Sequence, residues 1–236
     1  MLKIGHRGAP ENPKYAENTI GSFRRAIWKG ANALEFDVRR TKDGKLVVIH
    51  DRTVDRTTNG SGRVSDLTYT QIAMLDAGFG DMVPTLEAVL HSFGRQVLLN
   101  IELKEQGIED EVLFFIRQLQ LQNHVLVSAF DADQNGSDLD SSWDQLGVFR
   151  GEVPIALLAQ ESKITQIGWS EYLEEAISRN AFAIHPGYAA VYPEVVRVAH
   201  GRGLLVNVWT ANRRSDIQEL KKMGVDGIFS DFPELL

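Results

Sequence analysis

Glu35 and Asp37 stand two apart in the run LEFDV, which reads as a β-strand. Alternate residues of a strand share a face, so both carboxylates project the same way. Like charges held that close repel strongly unless a cation sits between them or one takes up a proton. Beyond Asp37 comes Asp43-Gly44, a hairpin-turn pair, and the chain then returns through residues 46–49 to His50-Asp51. A histidine is thereby folded back toward a paired-carboxylate site. That arrangement belongs to chemistry rather than to a core.

The elements that must position these groups alternate along the chain. Strands are expected over residues 2–5, 33–38, 46–49, 97–103, 125–130, 154–158, 182–185, 204–209 and 226–230. Helices are expected over 19–29, capped by Asn18 or Thr19, and over 85–93, 109–122, 171–179, 193–202 and 215–223. Nine strands are one too many for an eightfold βα barrel. The tight turn at Asp43-Gly44 makes 46–49 antiparallel to 33–38, which an all-parallel barrel cannot accept. The expected architecture is therefore α/β, a TIM (β/α)8 barrel with a hairpin-containing excursion after the second strand. Residues 1–236 form one domain in this reading, with 52–84 a polar, Gly/Thr-rich loop within it. His6, Glu35, Asp37, Glu102, Lys104 and Trp209 all fall at the C-terminal ends of strands or just beyond, the face that carries active sites in such barrels.

Composition narrows the partners. A length of 236 residues suits one barrel, and 43% apolar content is ordinary for a globular protein with a sizeable core. A net charge of −7 argues against a nucleic-acid or anionic-membrane surface, so an anionic substrate would need local cations. With no cysteine, neither disulfides nor thiolate chemistry enters. No apolar run approaches a membrane span, and MLKIGHRG enters structured-looking sequence without a signal peptide. A soluble, cytoplasmic protein is the expectation.

Several motifs recur in an order that resembles a known family. His6-Arg7-Gly8, Glu17-Asn18-Thr19, Glu35-x-Asp37-Val38, Thr41-x-Asp43-Gly44, His50-Asp51 and Arg56-x-Thr58-x-Gly60 resemble the N-terminal signature of glycerophosphodiester phosphodiesterases. Pro84-Thr85-Leu86-Glu87, Glu102-x-Lys104, Trp209-Thr210-x-Asn212 and Gly227-x-x-x-Asp231-x-Pro233 continue it. The resemblance spans nearly the whole chain. It implies a TIM barrel that hydrolyses glycerophosphodiesters to sn-glycerol 3-phosphate and an alcohol with a divalent cation, and so a role in lipid and glycerol metabolism. The chain departs from the pattern in an Asp-, Ser- and Gly-rich lengthening at 131–142 and in having only five residues after Asp231. Of two candidate Glu-Asn sites, Glu11-Asn12 and Glu17-Asn18, the second is preferred because Thr19 follows it.

Within this frame each group takes a role. Leu34, Phe36 and Val38 are apolar and would face the helical layer, leaving Glu35 and Asp37 in the barrel mouth. Glu102 follows the same logic in NIELK, with Asn100 and Lys104 on its face. Three inward carboxylates suit a hard cation such as Mg²⁺ or Ca²⁺, which takes oxygen ligands. Arg7 and Lys104 would bind the non-bridging phosphate oxygens, although Lys104 could merely neutralise Glu102. His6 and His50 would act as general acid and base, since free histidine titrates near pH 6.5. Trp209 would offer an apolar wall on the glycerol side. The other four histidines read as structural, although His185 ends a strand at the active face. Asp131-x-Asp133-x-Asn135-Gly136 begins like a calcium loop but lacks the closing glutamate, having Ser142 in its place, and reads as acidic surface. Gly60-x-Gly62 reads as a tight turn.

The expected substrate is a small, water-soluble glycerophosphodiester, with no stable membrane association, and the alcohol side should matter little because no head-group pocket is visible. Alternatives on the same barrel are a sphingomyelinase D-like or lysophospholipase D-like enzyme, a metal-independent phosphatidylinositol phospholipase C and a non-catalytic phosphodiester-binding protein. The acidic 131–142 segment counts against the first of these, the three clustered acids against the phospholipase C, and the intact set of polar groups against a binding protein. Val225, Phe229, Leu235 and Leu236 mark an apolar position near the short C-terminus where a homodimer would close.

Overall fold

The apolar segments between turn residues form nine strands of one sheet in a computed structural model, which describes residues 1–10, 16–131 and 141–236. In chain order they are β1 (Leu2–His6), β2 (Ala33–Arg40), β3 (Leu46–Val48), β4 (Leu98–Leu103), β5 (Val125–Phe130), β6 (Ile155–Ala159), β7 (Ala183–Pro186), β8 (Leu205–Val208) and β9 (Gly227–Ser230). Eight of them pair in parallel in the order β1-β9-β8-β7-β6-β5-β4-β2, and β1 pairs with β2 to close the barrel. β3 stands outside it, as the hairpin argument requires. The β1 pairing ends at His6 opposite Glu35, while β2 runs on to Arg40. β3 takes up that freed edge, antiparallel, with Val38 opposite Val48 and Arg40 opposite Leu46. Gly44 makes the turn at φ +83°, a left-handed conformation that costs glycine no Cβ clash.

Helices α1 (Ile20–Trp28), α2 (Tyr69–Ala73), α3 (Leu86–Phe93), α4 (Glu109–Gln118), α5 (Glu161–Ser178), α6 (Pro193–Gly201) and α7 (Arg214–Met223) follow the strands. Thr19, rather than Asn18, caps α1, its hydroxyl accepting from Ser22 N at 3.1 Å. The outward residues Leu34, Phe36 and Val38 of β2 enter the helix-facing core. Phe23 of α1 packs there between Phe36 and Phe93, each ring centroid 5.7 Å away. Phe36 is fully buried, so Phe36→Ala should cost about 3–5 kcal/mol in equilibrium denaturation. A loss below 1 kcal/mol, roughly the worth of one buried methylene, would mean that this triplet does not anchor the layer.

Three segments differ from the expectation. Residues 161–170 were not expected to be regular, yet they are helical and join 171–178 in α5 across a break at Gly168, φ +80°. The sequence ESKITQIGWS hides this because it has no sustained apolar stripe. The excursion is not purely irregular: it holds α2, a 3₁₀ turn at Val64–Asp66 and a small core of its own built on Val47, Ile49, Val54, Val64, Ile72, Ala77 and Val83. At the C-terminus, Val225, Phe229 and Leu236 are buried, so the apolar patch expected there is not open. A single 3₁₀ turn, Pro233–Leu235, stands in place of a final helix, and Lys29 of the chain after α1 reaches Glu234 at 3.0 Å.

The motif Glu11-Asn12 and most of the 131–142 segment lie outside the described residues. Asp131 itself accepts from Lys163 Nζ at 2.9 Å. Among the described residues no helix is long and apolar enough to cross a membrane.

Candidate active site

Strand register brings the distant acids together. β1 sets His6 beside Glu35, and β4 sets Glu102 beside Asp37. Glu35, Asp37 and Glu102 are all buried, and each offers an oxygen within 4.8 Å of the others. Around them sit compensating groups. Arg7 N donates to Glu35 Oε2 at 3.0 Å, and its Nε lies 3.4 Å from Asp37 Oδ2. Asn18 Nδ2 donates to the same Asp37 oxygen at 2.8 Å. Lys104 Nζ donates to Glu102 Oε1 at 2.5 Å and stands 3.6 Å from Asp37 Oδ1. Asn18 sits at φ +56°, where asparagine is at home, but Arg7 holds its position at φ +54°, a region rare for residues other than glycine, asparagine, aspartate and histidine. Such outliers gather where surrounding contacts over-determine them.

The two strand acids are driven apart electrostatically. Burial, reinforced by Asp37 and Glu102, pushes the Glu35 carboxyl well above the usual carboxylate range, against Arg7. Burial would raise Asp37 as well, but His50, Arg7, Lys104 and the Asn18 hydrogen bond outweigh it and hold that carboxyl far below the usual range. Burial disfavours the Lys104 ammonium, yet Glu102 and Asp37 keep its pKa above that of a free lysine.

Glu35 Oε1 and Asp37 Oδ1 are buried with no hydrogen-bond partner. A buried carboxylate oxygen left unmatched is costly, and a cation would satisfy both at once. The donors are all oxygens, the set a hard divalent ion takes. The residues therefore fit such an ion.

Each histidine is gripped at Nδ1 by a carboxylate. His6 Nδ1 lies 2.7 Å from Asp231 Oδ1, and Asn212 Nδ2 donates to the other oxygen of Asp231 at 2.6 Å. His50 Nδ1 lies 2.7 Å from Asp51 Oδ1, and Asp51 is held by Arg56 at 2.6 and 2.9 Å. Arg56 in turn bridges to Glu17, which also accepts from Arg7. A carboxylate at Nδ1 favours the proton there and leaves Nε2 free for proton transfer. His6 Nε2 is 4.0 Å from Glu35 Oε2.

A cavity of about 700 Å³ opens over this centre. His6, Arg7, Glu35, His50, Glu102, Lys104 and Trp209 line it; Asp37 lies behind them, fully buried. Trp209 Nε1 donates to His185 O at 2.7 Å, and the indole meets Phe130 edge-on at 5.3 Å. His185 does not line this cavity: its ring is buried, with Nε2 3.0 Å from Asn207 Nδ2, and burial lowers its pKa to about 3. Of the other histidines, His200 pairs with Asp226 at 2.8 Å on the surface.

Asp231, Asp51, Asn212 and Asn18 complete the site without having been singled out as site residues. Asp51 and Asp231 both stand inside motifs already noted; for Asp51 its place next to His50 was the available signal, whereas Asp231 meets His6 across 225 positions. Arg39 is the other omission: it continues the Glu35, Asp37 alternation along β2, and its Nε donates to His50 O at 2.8 Å.

The fold and this centre define an α/β-barrel enzyme whose buried acids lie between two carboxylate-held histidines. Residues 6–235 match the glycerophosphoryl diester phosphodiesterase family, to which the chain belongs as a glycerophosphodiester-cleaving enzyme. It is 38% identical to a glycerophosphodiester phosphodiesterase of Caldanaerobacter subterraneus subsp. tengcongensis, the alignment covering 100% of this chain and 96% of the relative. A glycerophosphodiester phosphodiesterase structure from Agrobacterium tumefaciens superposes with a TM-score of 0.83 at 28% identity, over 100% of this chain and 98% of that one. An Oleispira antarctica phosphodiesterase, solved in complex with the product sn-glycerol-3-phosphate, superposes with a TM-score of 0.77 at 26% identity, over 98% and 93%.

Proposed function

We propose that the enzyme hydrolyses small glycerophosphodiesters to sn-glycerol 3-phosphate and an alcohol, with one divalent cation, Mg²⁺ or Ca²⁺, held by Glu35, Asp37 and Glu102. The observation that carries this is the pair of oxygens without a hydrogen bond on buried Glu35 and Asp37, in a three-acid cluster flanked by two carboxylate-held histidines. A cation bound there supplies charge neutralisation and orients the attacking oxygen. Arg7 and Lys104 take the non-bridging oxygens, Arg7 through its guanidinium fork and Lys104 as a point charge. One histidine removes a proton from the nucleophile, either water or the glycerol 2-hydroxyl, as its oxygen bonds to phosphorus. The bond to the departing alcohol breaks, and the other histidine protonates that oxygen. Water attack gives sn-glycerol 3-phosphate directly. Attack by the 2-hydroxyl leaves a cyclic phosphate whose bond from phosphorus to the 2-oxygen a water molecule then replaces, returning the proton to the 2-oxygen. Trp209 and Phe130 wall the glycerol side.

The whole chain works as one catalytic unit in this reading, in the cytoplasm, without a nucleic-acid partner or stable membrane attachment. The net charge of −7 and the lack of a membrane-crossing helix among the described residues support the choice of a soluble diester.

Release of sn-glycerol 3-phosphate from glycerophosphocholine is the test, run with and without EDTA. Turnover should vanish with the chelator and return with added Mg²⁺ or Ca²⁺. Full activity in EDTA would remove the cation from the reaction, and release of phosphocholine instead would reverse the assignment of the departing group.

A further inference from the structure

Glu35, Asp37 and Arg39 alternate along β2, so the strand that supplies two acids ends with a guanidinium on the same side. Arg39 is buried, and its Nη1 lies 3.5 Å from Glu105 Oε2. The excursion brings two more arginines alongside. An antiparallel bridge pairs Thr53 with Arg63, and Val64 N donates to Arg52 O at 2.9 Å, setting Arg52 and Arg63 on adjacent stretches of chain. All three arginines line the catalytic cavity, and all three also line an adjoining side pocket of about 160 Å³ completed by Val64, Ser65 and Glu105. Among the described residues, three arginines and one carboxylate, that of Glu105, line this side pocket. The catalytic cavity is also lined by the apolar side chains of Phe130, Leu158 and Trp209, with Gln160 and Thr210 beside them.

This asymmetry sorts the two arms of a diester. The apolar faces of Phe130, Leu158 and Trp209 give an anion no charge-assisted contact, whereas guanidiniums grip carboxylates and phosphates in bidentate fashion. In a chain of net charge −7, a local concentration of cations is also what draws an anion in against the overall field. The side pocket has room for a group of carboxylate or phosphate size.

We propose that Arg52 and Arg63, with Arg39 behind them, form a subsite for a second negative charge on the departing alcohol. The favoured substrates are then glycerophosphodiesters whose alcohol carries a carboxylate or a further phosphate close to the ester oxygen. The inference rests on the hydrolytic reading above and deepens it. It also departs from the expectation that the alcohol matters little: the pocket is assembled from residues on β2 and on both arms of the excursion, and no single stretch of sequence displays it.

The test compares substrates paired to differ in charge on the departing alcohol. Glycerophosphoserine differs from glycerophosphoethanolamine by a carboxylate, and bis(glycerophospho)glycerol adds to glycerophosphoglycerol a further glycerophosphate unit, so its rate is compared per scissile bond. In each pair kcat/KM should favour the anionic member by about tenfold, chiefly through KM, as expected for charge-assisted contacts in a half-open pocket. Added salt should compress that ratio. Arg63→Gln and Arg52→Gln should each bring it toward one, Arg63→Lys should retain part of it, and Arg63→Glu should invert it. Arg63 is exposed, so its variants should fold as the parent does. Preference for only one of the pairs would still support the subsite and identify the charge it takes. Equal kcat/KM within both pairs would overturn the proposal, as would a preference that survives both glutamine variants. No sn-glycerol 3-phosphate from any of the four would instead withdraw the hydrolytic reading, and this inference with it.

Discussion

A Glu35→Gln variant should keep its fold and lose cation-dependent turnover by more than about 10²-fold, beyond the usual 10–100-fold cost of an outer-shell partner of a metal ligand. The same change should raise the stability of the cation-free protein. Glu35 is buried against Asp37 and Glu102, and its carboxyl is held well above the ordinary range. The stability linked to such a raised group is present at low pH and lost as pH rises through the raised value. An amide of the same shape never ionises, so the stability gap between variant and parent should widen with rising pH. Chelated samples measured by denaturant unfolding, beside turnover at saturating Mg²⁺, check both halves. Parental cation affinity and turnover in the variant would place the site elsewhere. In the parent, cation affinity should fall as pH is lowered, because a ligating carboxyl must shed its proton.

His6→Ala and His50→Ala should each lower kcat by roughly 10²–10⁴, the usual worth of a general acid or base. Because both act in one displacement, the double variant should lose less than the product of the two single losses. Asp231→Asn should cost less than His6→Ala. It removes the charge at Nδ1 while Asn212 still holds the side chain near its place, so the loss should appear in the pH profile as well as in kcat. Near-parental turnover in either histidine variant would remove that residue from the mechanism. Multiplicative losses in the double variant would mean that the two histidines act in separate steps.

The acidic centre was legible because strand alternation is a local rule: Glu35 with Asp37, and Glu102 with Lys104, each announce a shared face within a few residues. The hairpin at Asp43-Gly44 was equally local, and it sufficed to exclude one of nine strands from the barrel. What escaped depends on closure. Nothing near His6 says that Asp231 will meet it, because that contact exists only once β9 pairs with β1. The guanidinium cluster escaped for a related reason, since Arg52 and Arg63 are joined by a bridge inside a segment whose own small core gives a weak periodic signal. The first part of α5 was hidden by its polarity and by the break at Gly168.

The pairing of His6 with Asp231 spans 225 positions of the chain. The acids of β2 and β4 lie within the first half of that span. The grip on His6 must await the last strand. The acid cluster and the grip on His6 are therefore completed by different strand pairings, β2 with β4 and β1 with β9. Contacts of such long sequence separation also form slowly, because loop closure must precede any reward from them.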